Sequence, residues 1–141
     1  MTRISLAQAN AIANATLAKG RELGFKPLTV AVLDAGGHLM ALQREDGSSN
    51  LRPQLAIGKA NGALALGLSS RKIGEMAADR PTFVASLHGL TAQGVVPAAG
   101  GVLVADGSGA VIGAVGVTGD LSDNDETCAL AGIAAAGLAA L

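Results

Sequence analysis

Tryptophan and tyrosine are missing from this 141-residue chain, and its two phenylalanines, Phe25 and Phe83, stand far apart. A nucleic-acid binder offers stacking aromatics or a positive stripe. With a net charge of −1 and no run of basic residues, this chain offers neither, so nucleic acid is excluded as a partner. Cysteine is almost as scarce. Cys128 stands alone, so no intrachain disulfide can form, which fits a reducing, cytoplasmic compartment. Long hydrophobic runs are lacking as well. Met1 to Gln8 has no continuous apolar core of the signal-peptide type. The apolar run from Ala129 to Leu141 is only about 13 residues, whereas a membrane-spanning helix takes roughly 20, so it reads as a buried helix and no membrane association is expected.

What is present is aliphatic. Half the residues are hydrophobic and 20 are glycine, so the core must be built from Ala, Val, Leu and Ile with backbones in close approach. The length suits one domain spanning residues 1–141, large enough to fold without a disulfide or a metal. Ser5 and Gln8 form an S-x-x-Q capping box that opens a helix closing near Gly24. Leu28 to Asp34 and His38 to Arg44 read as a hairpin around Ala35-Gly36-Gly37. Residues from about Pro53 to Leu68 read as a helix despite Gly58, Gly62 and Gly67, which implies that another backbone packs on that face. Ser69 or Ser70 caps a short helix, and Thr82 to Leu90 reads as another. A second hairpin joins Gly100–Asp106 to Ala110–Val117. Asp123 and Glu126 then form a capping-box-like pair before a last helix, with Leu130, Ile133, Gly137 and Leu141 on one face. The order helix, hairpin, helices, hairpin, helix predicts an α/β (α+β) fold: an antiparallel sheet built from two hairpins with flanking helices, profilin- or roadblock-like, and not a doubly wound sheet. The apolar last helix and the glycines of the middle helix predict a homo-oligomer.

Three segments taken together resemble the GlcG/HbpS-like family, which includes the C-terminal domain of PduO-type proteins. They are Val30 to Gly37 with the strand to Arg44-Glu-Asp46, then Ala56-Ile-Gly-Lys59-Ala60, then Gly100-Gly101-Val with Ile112 to Gly119 closing on Asp125-Glu126. The resemblance covers most of the chain from Ser5 to Leu138. It implies a small-molecule-binding domain, with haem as the candidate cofactor or another small anionic ligand held in an oligomer cleft. The alternative is a small catabolic enzyme, a lyase, isomerase or hydrolase acting on an organic acid.

Histidine is a common haem and metal ligand, which makes His38 and His88 the candidate cofactor-binding residues. Some haem-binding relatives place a histidine near the first helix, and Ser5 to Leu23 has none. No zinc-type ligand spacing occurs, so no metal site is expected. Asp120, Asp123, Asp125 and Glu126 are explained by helix capping. Lys59 lies among alanines and glycines, so it must snorkel, pair with a carboxylate such as Asp34 or Asp46, or hold an anionic ligand together with Arg44 or Arg52. Gly100, Gly101, Thr118 and Gly119 complete the candidate ligand-binding set, with Thr118 as the polar group of a tight turn. No nucleophile elbow is present, and Cys128 sits where a buried, inert thiol is expected, so no catalytic residue is assigned.

Overall fold

Ser5 opens the first helix as its spacing predicts. Its hydroxyl accepts the Gln8 N–H at 3.0 Å while Gln8 Oε1 accepts the Ser5 N–H at 2.9 Å. The computed structural model describes residues 3–141; Met1 and Thr2, part of the segment read as lacking a signal peptide, lie outside it. In chain order the elements are α1 (Leu6–Glu22), β1 (Thr29–Asp34), β2 (Leu39–Arg44), α2 (Arg52–Leu66), α3 (Ser70–Asp79) and α4 (Pro81–Leu87), the last running into a 3₁₀ turn at His88–Leu90. Then come β3 (Gly101–Ala105), β4 (Val111–Thr118), α5 (Ser122–Ala135) and the short β5 (Ala139–Ala140). No described helix is long and apolar enough to cross a membrane.

All strand pairs are antiparallel, in the order β2-β1-β4-β3-β5. The expected hairpins are β1–β2 and β3–β4, and β1 lying along β4 from Thr29↔Thr118 to Asp34↔Gly113 joins them. Alternation then sorts the side chains. Val30, Val32, Val102, Val104, Val115 and Val117 face α1 and α5 in the main core. Leu33, Leu103 and Ala114 face Ala60 and Ala63 of α2 on the other side. The predicted mixed fold, an antiparallel sheet with flanking helices, is what forms.

The small residues of α2 let it lie almost on the backbone of the sheet. A Cβ at Gly116 would strike the Ala56 carbonyl oxygen, and one at Gly101 would strike that of Lys59. Dispersion contact replaces side-chain bulk here, as close packing requires.

Three expectations change. The last helix stops at Ala135, because Gly137 adopts φ 73° and turns the chain back so that Ala139–Ala140 pair with Val104–Ala105 of β3. Gly137 and Leu141 are therefore not on the helical face with Leu130 and Ile133. Gly58 and Gly62 do accept a close neighbour, but it is the chain's own Val95–Val96 segment, while Gly67 is the left-handed C-cap of α2 at φ 68°. Those glycines are thus accounted for within one copy. Finally, Asp123 and Glu126 do not cap α5. Its N-cap is Leu121, without a side-chain bond, and both carboxylates are drawn across to Arg71 of α3, whose Nε lies 3.1 Å from Glu126.

Candidate functional site

Antiparallel pairing of β1 with β4 carries the two hairpin turns to one end of the sheet. Between them lies a cavity of about 660 Å³ lined by Arg3, Asp34, Ala35, His38, Val111 and Ile112, among others. Asp34 organises it. Its Oδ1 accepts the N–H groups of Gly36 and His38, each at 2.9 Å, and lies 3.0 Å from His38 Nδ1. An aspartate accepting backbone N–H groups two and four residues on is the usual chemistry of such turns. Partial burial works against the Asp34 charge, yet the hydrogen bonds from His38 and Gly36 outweigh it and hold the carboxyl below its ordinary range. Since Nδ1–H of the neutral ring is donated to this carboxylate, the lone pair is left on Nε2. The His38 side chain is 79% exposed, so that nitrogen is open to a ligand.

His88 is held differently. Its Nδ1 lies 3.1 Å from both the N–H and the carbonyl oxygen of Val95, so that backbone, not a carboxylate, fixes the ring. The ring also packs directly over Gly94. The structure therefore separates the two candidate histidines by place and by partner.

The other predicted residues gather at the opposite end of β1 and β4. Lys59 is 3% exposed; its Nζ donates to Val117 O at 2.9 Å and to Asp125 Oδ2 at 3.1 Å. The carboxylate answering it is thus Asp125, not Asp34 or Asp46. Burial pushes Lys59 below its ordinary value and Asp125 above its own, with each drawn part of the way back by the other. Gly100 and Gly101 wrap this lysine: a Cβ on Gly100 would come within 3.0 Å of Nζ, and the Gly101 N–H donates to Ser70 Oγ at 2.6 Å. Thr118 Oγ1 accepts from Arg52 Nη1 at 2.8 Å. Lys59, Gly100, Gly101 and Thr118 are brought together, with Arg44 and Gly119 on the flanks. Arg44 donates to Ser48 O at 3.1 Å, and Gly119 packs against Pro27. Arg44 also borders a second hollow of about 470 Å³ with Arg21, Phe25, Pro27, Glu45 and Asp46.

Asp34 as the partner of His38, Arg3 as the cation of the cavity and Asp125 as the counter-ion of Lys59 were not singled out from the sequence. Only the first carried a local signal, an aspartate four residues before a histidine around two glycines. Cys128 is fully buried, and burial foremost lifts its thiol to about 11, so it offers no nucleophile near neutral pH.

Comparison with known proteins agrees with this architecture. An uncharacterised 15.0 kDa protein of Citrobacter freundii, from the dhaT–dhaS intergenic region, is 35% identical over 128 residues, covering 89% of this chain and 87% of that protein. Among solved structures, the PduOC–haem complex superposes with a TM-score of 0.86 at 22% identity, covering 98% of both chains, a likeness of fold. HbpS superposes at 0.81 with 27% identity, covering 95% of this chain and 90% of that one. The Klebsiella pneumoniae protein ORFY gives 0.85 with 25% identity over 97% and 93%. The model of the family described as haem-degrading protein, HbpS-like, matches residues 4–134, and the chain belongs to that HbpS-like family.

Proposed function

We propose that the protein is a small-molecule binder that takes haem in the cavity between the two hairpin turns, where His38 Nε2 would hold its iron. The observation that carries this reading is the Asp34–His38 pair, a carboxylate fixing Nδ1 and freeing Nε2 at the rim of a pocket whose apolar lining includes Ala35, Val111 and Ile112 and whose polar lining includes Arg3, Asp106 and Ser108. A carboxylate behind a ligating histidine fixes the ring and raises its basicity. The volume falls within the range of small-molecule pockets, and the apolar part of the wall suits a flat apolar ring, with Arg3 set against the carboxylates Asp34 and Asp106. Arg3 is the residue to answer a propionate. When bound, haem would supply an iron centre for ligand exchange or redox chemistry, while Asp34 orients the His38 imidazole that would hold it. The family description and the haem-bound PduOC structure support the same ligand class.

Titration of hemin into the full chain tests this. His38→Ala is expected to abolish the histidine-ligated Soret shift and weaken binding tenfold or more. Asp34→Asn should weaken it less, and His88→Ala should leave it unchanged. Unaltered spectra in His38→Ala would overturn the assignment.

Assembly into a homo-oligomer belongs to the same reading. Its support is the set of leucines left on the surface, Leu90 at 77%, Leu121 at 73% and Leu51 at 60% exposed, together with the open edge of β2. Sedimentation at micromolar concentration should show a species at least twice the 13.8 kDa chain mass, and a monomer alone would exclude it.

A further inference from the structure

Arg44 and Arg52 have no carboxylate partner among the described residues. Their guanidinium groups hydrogen-bond instead to Ser48 O at 3.1 Å, to Ser49 Oγ at 3.2 Å and to Thr118 Oγ1 at 2.8 Å. Thr29 stands between the two arms. It is opposite Arg44 on β2 and opposite Thr118 on β4, and residues so paired share one face with their Cβ atoms about 5 Å apart. Because the Thr118 hydroxyl on that face meets Arg52, the Thr29 side chain points to the same side. It is fully buried, and its hydroxyl has no hydrogen-bond partner. Ser48, whose carbonyl holds Arg44, carries a second buried hydroxyl without a partner.

Most charged groups around this cluster are engaged elsewhere, and Asp46 borders Arg44 in the smaller hollow. Lys59 is answered by Asp125. Glu45 is engaged by Arg21 and the Leu28 N–H, and Asp120 by the Lys26 and Leu121 N–H groups and Asn124. Among the described residues, neither Arg44 nor Arg52 has a carboxylate in direct contact. The α2 helix starts at Arg52 without a side-chain cap or an acid in its first turn, so its positive end adds to them. Buried hydroxyls beside unanswered guanidinium groups are incomplete until an acceptor arrives.

We propose that this cluster is a binding site for a small monocarboxylate, gripped by Arg44 and Arg52 and hydrogen-bonded by the hydroxyls of Thr29, Ser48 and Thr118. A planar carboxylate matches the guanidinium fork. A phosphate dianion would bring a second charge toward Asp46 and Asp120, which neighbour these elements in sequence. The site lies at the opposite end of β1 and β4 from His38, so it stands or falls independently of haem.

The experiment is calorimetric titration of acetate, lactate and pyruvate into the full chain, with melting temperatures read against sodium chloride at equal ionic strength and inorganic phosphate as a further anion. At least one carboxylate should bind saturably at one per chain and raise the melting temperature beyond chloride. Thr29→Val and Arg52→Met should each weaken that binding tenfold or more. Without ligand, Thr29→Val should melt no lower than the native chain, since the hydroxyl it removes has no partner. If Arg52→Met does not fold, the near-isosteric Thr29→Val decides alone. No carboxylate acting beyond chloride, native affinity in Thr29→Val, or phosphate binding more tightly than any carboxylate would each overturn the proposal.

Discussion

Lys59→Met is expected to destabilise the protein by about 3–5 kcal/mol, because it leaves the carboxylate of Asp125 buried and unanswered. Asp125 is 1% exposed, and Lys59 is the cation that meets it. Methionine keeps the aliphatic stem, so lost packing contributes little. Urea unfolding of the single variant and of Lys59→Met with Asp125→Asn separates the terms. Asparagine still accepts the Asp120 N–H that now reaches Asp125 Oδ1 at 2.9 Å, and with both charges gone much of the stability should return. Failure of the double variant to recover would mean that Lys59 matters chiefly through the Val117 carbonyl. The pair should also show in the pH dependence. Burial raises the Asp125 carboxyl above its ordinary 3.8, so the folded state keeps that proton longer than the unfolded state, and stability falls as pH rises from 3.8 through the folded value. For Lys59 the folded value lies below 10.5, so the unfolded chain holds more protons in that window and stability climbs with pH toward 10.5. Relative to the double variant, the native chain should therefore be weakest between the two windows.

A single methyl group should have a comparable effect at Gly116. Alanine there would place Cβ against the Ala56 carbonyl and within 3.0 Å of the Ala60 N, both backbone atoms of α2 that cannot rotate aside. The helix must lift from the sheet, and a loss of about 3 kcal/mol is expected, the upper end of ordinary overpacking. Gly107→Ala is the control, since its Cβ would meet nothing within 4 Å. Thermal melting of the two variants checks the contrast; equal melting temperatures would mean that α2 is free to shift.

The elements with a local signature were legible in the sequence. The capping box at Ser5 placed α1, the glycine turns placed both hairpins, and Lys59 among alanines signalled a buried charge. What stayed hidden depends on contacts distant along the chain. Lys59 and Asp125 are 66 positions apart and meet only because β4 delivers the start of α5 beside α2. The cavity needs turns near Ala35 and Ser108 to coincide, which β1–β4 pairing decides. Ala129 to Leu141 misread as one helix because alanine favours helix locally, and the pairing of Ala139–Ala140 with β3 overrides that preference. Gly137 was the single local hint of the break. The acidic stretch after Gly119 misread as capping because nothing nearby in sequence announces Arg71.

The two residues of β5 limit how copies of this chain can join. Ala140 and Ala139 pair with Val104 and Ala105, the Leu141 N–H donates to Leu103 O at 3.0 Å, and the Gly101 N–H is taken by Ser70. That margin of the sheet offers little template to an incoming strand, whereas no described strand pairs with the outer side of β2. A sheet that can accept a neighbour on one side alone cannot polymerise by strand addition. Two copies meeting through β2 would consume each other's free edge and end as a closed pair. Deleting residues 138–141 would reopen the second margin and turn a self-terminating union into a propagating one, visible as fibres where the full chain gives none.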